Sequence, residues 1–232
     1  MKIFCCYTSA HKSLLDSYFK PSLSADMELH AQLLDGDEGR GDYMSPEYVD
    51  CIHRKIDAVI ESLRRYPGEV FIWSDIDIVF FRSVAADLEK LMAESGKDIL
   101  FQREGAGKPE ICGGFYVLRS TEKLRAFFED VRAGIHADRG THDQHVMNGL
   151  LPTYPNLAWG YLPMAYYART HGWPPPADIA LYHANETMGS DAVGQKIAQF
   201  HEVRLIRKYG LPAVAWSCFK KIPKRLKRWI KG

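Results

Sequence analysis

Two aspartates interrupt a strongly apolar stretch of the chain, which reads FIWSDIDIVFF over residues 71–81. A short run rich in Ile, Val and Phe is typical of a buried β-strand. Burying a carboxylate costs several kcal/mol unless it is paired or bound to a metal. Because side chains two residues apart point the same way in an extended chain, Asp75 and Asp77 can converge at a strand end and hold one divalent cation. The alternative is a strand-to-turn junction with two solvated aspartates.

Strands and helices alternate along the rest of the sequence. The patterns predict strands at 2–8, 27–34, 71–81, 98–104, 111–120, 157–163 and 179–185, and helices at 13–20, 46–65, 84–95, 121–135, 141–151 and 192–209. Loops rich in Gly, Asp or Pro are expected at 35–42 and 173–178, and Ser45 is the expected cap of the second helix. This order predicts an α/β sandwich with a mostly parallel central sheet flanked by helices.

Charge is distributed unevenly along the 232 residues, although the net charge is only +1. Seven of the 30 Lys and Arg residues fall within residues 220–232, which contain no acid, so residues 1–219 carry 23 basic against 29 acidic residues. We therefore expect one domain at 1–215 and a basic tail at 216–232. An acidic body argues against nucleic-acid binding.

The tail reads FKKIPKRLKRWIK over residues 219–231 and is amphipathic as a helix. Its basic and interfacial residues are Lys220, Lys221, Lys224, Arg225, Lys227, Arg228 and Trp229. A basic face opposite Trp, Leu and Ile predicts a helix that lies on an anionic membrane surface. The alternatives are a solvated basic end and a helix docked on the acidic body.

Cysteine usage and hydropathy bear on the compartment. The chain has five cysteines, an odd number, and none is in a CxxC spacing. Together with the absence of a secretory signal and of a long apolar stretch, this predicts a reduced, cytoplasmic protein, at most peripheral on the inner face of a membrane.

Polar or small residues follow several apolar runs, at the carboxyl ends of the predicted strands, where a parallel sheet binds its ligands. They are Thr8 and Ser9, Asp75 and Asp77, Gly113 and Gly114, and His183 with Asn185. A histidine that converges with two carboxylates is a candidate third metal ligand, and imidazole shifts the preference from Mg²⁺ toward Mn²⁺. The alternative for His183 is a hydrogen-bonded surface residue.

Four features follow one another in the sequence: DID after a strand, GGFYVLRS, an HDQHVMN helix start and a late strand ending in histidine. In this order they resemble the metal-dependent glycosyltransferases of the GT-A fold. The sequence is most similar to the nucleotide-diphospho-sugar transferases of family 77, with features shared with family 8. The resemblance runs from Thr8 to about Lys196 and leaves out the tail.

The resemblance implies a role for each matching residue. Asp75, Asp77 and His183 would hold Mn²⁺ or Mg²⁺ on the donor diphosphate, and Asp143 and Gln144 would be catalytic residues beside the donor sugar. The implied donor-binding residues are Thr8, Ser9, Arg54, Lys55, Ser74, Ile76, Gly113, Gly114 and Asn185. Asn148 fits the asparagine that follows the aspartate–glutamine pair. The sequence departs from family 8 after His183, where ANETMG replaces the expected glycine and Lys196 comes late for a phosphate-binding lysine.

The implied reaction is transfer of a sugar, with retention of configuration, from a nucleotide-diphosphate donor, expected to be UDP-linked, to a glycan or lipid-linked acceptor. Two alternatives remain open: a phosphohydrolase of the haloacid dehalogenase type, which also uses DxD, and a non-catalytic nucleotide- or carbohydrate-binding module. Five aromatic residues either stack on the acceptor or pack in the core: Trp159, Tyr161, Tyr166, Tyr167 and Trp173.

Overall fold

The computed structural model describes residues 1–34, 46–138, 141–187, 191–210, 212, 215 and 216. The predicted loop at 35–42, the predicted cap Ser45 and the basic residues of the tail lie outside the described residues.

The described chain forms nine strands and six α-helices. The strands are β1 (Lys2–Tyr7), β2 (Glu28–Leu33), β3 (Val70–Ser74), β4 (Ile78–Phe80), β5 (Ile99–Arg103), β6 (Ile111–Arg119), β7 (Trp159–Tyr161), β8 (Tyr166–Ala168) and β9 (Leu181–His183). The helices are α1 (Lys12–Leu14), α2 (Pro46–Arg65), α3 (Ala85–Ser95), α4 (Glu122–Ala137), α5 (Asp143–Leu150) and α6 (Ala192–Tyr209). Short 3-10 and π turns, among them Leu15–Phe19, extend α1 toward β2.

Six strands form the central sheet in the order β2-β1-β3-β6-β5-β7. β1 is parallel to both β2 and β3, and β5 is parallel to β7. β6 is antiparallel to its neighbours β3 and β5, so it runs against the other five strands. The predicted α/β fold with a mostly parallel sheet is therefore confirmed.

A second sheet, in the order β4-β9-β8, corrects the prediction of one strand at 71–81. The chain leaves the central sheet after Ser74, and β4 then pairs antiparallel with β9, with Ile78 opposite His183. β8, which the sequence did not predict, pairs in parallel with β9. The three residues between β3 and β4 are Asp75, Ile76 and Asp77, so both aspartates lie where the chain crosses from one sheet to the other.

Hydrophobic side chains cover both faces of the central sheet. Phe71 and Trp73 of β3 pack on the side of α2, α4 and α5, whereas Ile72 packs on the side of α3, α6 and the second sheet. This alternation is the period of two that an extended strand imposes.

The helix that starts at Glu122 is capped by Thr121, whose side chain accepts from the Leu124 N–H at 3.2 Å.

The register between β5 and β6 shifts at the two glycines. Phe101 is opposite Tyr116, but Gln102 is opposite Cys112, so residues 113–115 of β6 form a bulge. Glycine in a strand interior commonly marks such a bulge or a close backbone approach. The bulge brings the Gly113–Gly114 backbone beside the break between β3 and β4, where the Asp75 N–H donates to the Gly114 carbonyl at 2.7 Å.

Candidate metal and donor site

The three predicted metal ligands converge at this break. Ligand atoms of Asp75, Asp77 and His183 all lie within 4.8 Å of one another. The pairing of Ile78 with His183 places the end of β9 beside Asp77, and the Ala184 N–H donates to the Asp77 carbonyl at 2.9 Å. Residues more than a hundred positions apart in the sequence are thus held together by the second sheet.

The contacts of these three residues fit a divalent cation. Asp77 Oδ1 is buried and lies 3.3 Å from His183 Nε2, yet it has no hydrogen bond of good geometry among the described residues. Gly114 packs against His183 and Asp75, because a Cβ placed there would lie 2.5 Å from His183 Cε1 and 2.9 Å from Asp75 Oδ2. Two carboxylates and one imidazole form a donor set suited to Mn²⁺ or Mg²⁺.

Lys55 lies beneath the site and connects two carboxylates. Its Nζ lies 3.0 Å from Asp75 Oδ1 and 3.0 Å from Asp143 Oδ2, and it donates to the Gly113 carbonyl at 3.1 Å. Only 6% of the residue is exposed. Burial lowers the pKa of Lys55, but the two carboxylates outweigh it and hold the pKa well above its ordinary value. Arg54, its predicted partner in donor binding, is instead exposed.

Asp143 is a buried, ionised carboxylate at the first position of α5. Burial pushes its pKa upward, but the Lys55 ammonium and hydrogen bonds to the carboxylate outweigh burial and lower the pKa to about 2. Its Oδ1 accepts from the Gln144 N–H at 2.8 Å, while Oδ2 lies 3.5 Å from the Cβ that Gly113 lacks. The carboxylate therefore borders the bulge of β6.

The neighbours of Asp143 are held by amide contacts. Gln144 Oε1 accepts from the Gly113 N–H at 2.9 Å, and Gln144 Nε2 donates to Glu104 at 3.0 Å. Asn148, one turn further along α5, donates to the Ile111 carbonyl at 3.1 Å and accepts from its N–H at 2.8 Å. These contacts fix α5 against the bulge of β6.

Lys196 enters the site from α6, although its distance from His183 in the sequence argued against a role there. Its Nζ lies 2.7 Å from Asp77 Oδ2. Burial raises the pKa of Asp77, but Lys196 and His183 outweigh burial and hold this pKa well below its usual range. The site therefore contains a second cationic side chain next to the candidate metal ligands.

Gln102 is a site residue that the sequence analysis missed. It is fully buried at the end of β5, and its Oε1 lies 2.8 Å from His183 Nδ1. The available signal was a lone amide within the apolar strand ILFQR, because a buried polar side chain requires a partner.

The remaining predicted donor-binding residues surround the site in different ways. Ser74 and Ile76 are buried beside Asp75, and Ser74 Oγ donates to the Asp75 carbonyl at 2.8 Å. Thr8 Oγ1 lies 2.8 Å from His11 Nδ1 in the loop after β1, while Ser9 is exposed. Asn185 connects to the segment after β8, accepting from the Thr170 N–H at 3.2 Å.

The five aromatic residues do not share one environment. Tyr166 and Tyr167 are buried in the core, and Trp159 Nε1 donates to the Leu151 carbonyl at 3.1 Å. Guanidinium groups cover the two others: Arg103 lies 3.7 Å from the ring centroid of Tyr161, and Arg169 lies 4.3 Å from that of Trp173. Packing therefore accounts for Tyr166 and Tyr167.

Among the described residues, no helix combines the length and apolarity that crossing a membrane requires.

Solved glycosyltransferase structures share this fold at low sequence identity. A glycosyltransferase involved in glycosylation of the major capsid of PBCV-1 superimposes with a TM-score of 0.58 at 10% identity, covering 86% of this chain and 98% of that one. The galactosyltransferase LgtC, solved with donor and acceptor sugar analogs, gives 0.52 at 13% identity, covering 88% and 95%. Apo GlyE from Streptococcus pneumoniae gives 0.54 at 10% identity, covering 87% and 63%.

Sequence comparison gives one curated relative and one family. The uncharacterized protein At1g28695 of Arabidopsis thaliana is 29% identical over 117 residues, which span 49% of this chain and 33% of the relative. The chain thus matches about a third of the length of that relative. The family model described as nucleotide-diphospho-sugar transferase matches residues 16–190. The narrower assignment to family 77 stays a prediction. Since the matched region is most of the sequence, the chain belongs to the nucleotide-diphospho-sugar transferase family.

Proposed function

We propose that this protein is a metal-dependent glycosyltransferase that moves a sugar from a nucleotide-diphosphate donor, UDP-linked, to a glycan or lipid-linked acceptor with retention of anomeric configuration. The observation that carries the proposal is the convergence of Asp75, Asp77 and His183 within 4.8 Å, on a chain of the nucleotide-diphospho-sugar transferase family.

In this proposal, Asp75, Asp77 and His183 hold a divalent cation, Mn²⁺ being preferred. When bound, the cation orients the donor diphosphate and neutralises the negative charge that develops on it as the sugar–oxygen bond breaks. Lys196 supports the same step from the side of α6. Its ammonium, 2.7 Å from Asp77, adds positive charge close to where the leaving diphosphate is expected.

Asp143 is the proposed catalytic carboxylate. It is ionised, it borders the Gly113 backbone, and Lys55 fixes its position relative to Asp75. Because no side chain projects from Gly113 or Gly114, the backbone of the bulge packs directly against Gln144, His183 and Asp75, next to Asp143. There Asp143 can accept from a sugar hydroxyl or stabilise positive charge on the ring. Gln144, engaged with Gly113 and Glu104, positions this backbone.

The proposed contacts of the nucleotide and the acceptor are less specific. Thr8 and Ser9 follow β1, and Thr8 bonds to His11, whose pKa is lowered by burial and by Lys196 nearby. The nearness of His11 to Lys196, which contacts Asp77, supports a place for the nucleotide near the loop after β1.

The partly exposed rings of Trp159, Tyr161 and Trp173 are candidate acceptor contacts. The basic tail at 216–232 would place the enzyme on an anionic membrane, which suits a lipid-linked acceptor.

A donor-hydrolysis assay tests the proposal directly. The full chain is incubated with Mn²⁺ and a panel of nucleotide sugars, and release of free sugar is followed with no acceptor added. We expect slow hydrolysis of a UDP-sugar, abolished by Asp77→Ala and retained by Asp178→Ala, a substitution of an exposed aspartate. Binding of nucleotide without turnover of any donor, and with no transfer to an acceptor panel, would favour a non-catalytic module. Release of phosphate from a simple phosphate ester would favour the phosphohydrolase.

A further inference from the structure

His183 is held from behind by a chain of buried hydrogen bonds. Gln102 Nε2 donates to the Tyr166 carbonyl at 3.1 Å, and Gln102 Oε1 faces His183 Nδ1 at 2.8 Å. The carbonyl of Tyr166 accepts but cannot donate, so this contact assigns which end of the Gln102 amide is nitrogen. The other end is then the carbonyl oxygen, and His183 Nδ1 must carry the proton between them.

This contact keeps a proton on Nδ1, so a neutral His183 ring has the tautomer that a metal ligand requires. With the proton on Nδ1, the Nε2 atom of a neutral ring presents its lone pair, and Nε2 is the atom that lies 3.3 Å from Asp77 Oδ1. Metal-binding histidines commonly donate their other N–H to a carbonyl or carboxylate, which sets the ring orientation and increases ligand basicity. Gly114 also packs against the ring, because a Cβ there would lie 2.5 Å from His183 Cε1.

We infer that Gln102 is a positioning residue for the metal site, acting through His183 rather than on the substrate. The inference rests on the proposed function, since it takes Asp75, Asp77 and His183 to be metal ligands. Gln102 reaches this position because the β5–β6 register shift pairs it with Cys112 next to the bulge. Cys112 Sγ lies 3.6 Å from His183 Nδ1 and is a weaker acceptor than the amide oxygen.

Gln199, which contacts β9 from α6, is a matched control for Gln102. Gln199 of α6 makes a comparable pair of bonds, accepting from the Tyr182 hydroxyl at 3.1 Å and donating to the Asn185 carbonyl at 3.0 Å. Its two partners, Tyr182 and Asn185, come before and after His183 in the sequence, and neither is a predicted metal ligand. The same substitution at the two glutamines therefore separates a general loosening of β9 from loss of the bond to His183.

The test measures binding of Mn²⁺ alone to the full-length protein, by the electron paramagnetic resonance signal of free Mn²⁺. We expect Gln102→Leu to raise the Kd about 10- to 100-fold, the usual cost of losing such an outer contact. Gln199→Leu should leave the Kd unchanged. Gln102→Glu keeps an acceptor for His183 Nδ1–H but loses the N–H that donates to the Tyr166 carbonyl, so it should bind Mn²⁺ more tightly than Gln102→Leu. If Gln102→Leu does not fold, Gln102→Asn, one carbon shorter, replaces it with the same expectation.

The outcomes separate the two proposals. An unchanged Kd in Gln102→Leu, an equal loss in Gln199→Leu, or Mn²⁺ binding by Gln102→Glu that is no tighter than by Gln102→Leu would overturn the role of Gln102 while leaving the metal-dependent function intact. A wild-type protein that binds Mn²⁺ no better than Asp77→Ala would overturn the proposed metal site, and with it the role of Gln102.

Discussion

The Lys55 ammonium and the Asp143 carboxylate form a buried ion pair of 3.0 Å, and the same ammonium lies 3.0 Å from Asp75. One cation thus links a candidate metal ligand to the candidate catalytic carboxylate. Removing one partner of a buried pair leaves an uncompensated charge, whereas the two carboxylates alone would repel each other.

Replacing this lysine should therefore destabilise the protein. We expect Lys55→Met to lower the free energy of unfolding by about 3–5 kcal/mol, because Asp143 remains buried without its cation, next to the partly exposed Asp75. Arg54→Met, on the exposed neighbour, should change it little. Urea unfolding in the presence of EDTA measures both without a contribution from metal. Equal stability of the two variants would contradict the ion pair.

The sequence already contained the distinction between these two basic residues. The apolar face of α2 repeats at Ile52, Ile56 and Val59, and Lys55 lies on that face whereas Arg54 does not. Periodicity thus predicts a buried lysine, and a buried lysine predicts carboxylate partners.

Other parts of the site could not be predicted from local pattern. The apolar run at 71–81 predicts extended chain correctly, but no local signal shows that Ile78 pairs with His183 rather than continuing in the first sheet. The contact of Lys196 with Asp77 and that of Gln102 with His183 both depend on the β4–β9 pairing of the second sheet, which places Asp77 and His183 together. Strand pairing over long sequence separation is a tertiary property, so the types of residue in the site were predictable while these contacts were not.

Stability should also depend on pH through Asp143. Its pKa falls to about 2 in the folded protein, below the ordinary value of 3.8 for a free aspartate. A depressed carboxylate stabilises the fold at pH values above the unfolded pKa, and this stabilisation is lost as the pH falls from about 4 toward 2. The contribution is on the order of 2 kcal/mol.

Unfolding free energies of wild type and Asp143→Asn, compared across this window, check the assignment. The difference between the two proteins should shrink as the pH falls toward 2. A difference that stays constant with pH would mean that Asp143 does not titrate with a lowered pKa.

Turnover should respond to the same substitution in a distinct way. Asp143→Asn keeps the size of the side chain but removes the charge, so we expect kcat to fall about 100-fold with little change in KM, as for a contact made mainly in the transition state. Steady-state kinetics with the donor found active in the hydrolysis assay measure both constants. A rise in KM alone would instead assign Asp143 to donor binding. Proton NMR of the new linkage tests retention separately.

Gly114 offers a steric test of the metal site. Gly114→Ala would place a Cβ 2.5 Å from His183 and 2.9 Å from Asp75, a separation that real Cβ atoms do not tolerate. We expect Mn²⁺ affinity to fall at least tenfold, equivalent to about 1.4 kcal/mol, because two ligands must move. Gly149→Ala on α5, where a Cβ would meet no described atom within 4 Å, is the control and should stabilise the helix by about 0.5–1 kcal/mol. Unchanged Mn²⁺ affinity in Gly114→Ala would count against the proposed ligand set.

The basic tail gives the last prediction, which follows from its sequence since these residues lie outside the described part of the chain. Each Lys or Arg near an anionic bilayer contributes about 1 kcal/mol, so seven such residues within 220–232 suffice for peripheral binding. We expect the full chain to co-sediment with vesicles containing phosphatidylserine at low salt, and to be released as salt increases. Replacing Lys220, Lys221, Lys224 and Lys227 with Gln should abolish binding, whereas replacing Lys90, Lys97 and Lys108, which are remote in sequence from the tail, should not. Binding that survives the tail substitutions would remove the membrane from the proposal, and with it the reason to favour a lipid-linked acceptor over a soluble glycan.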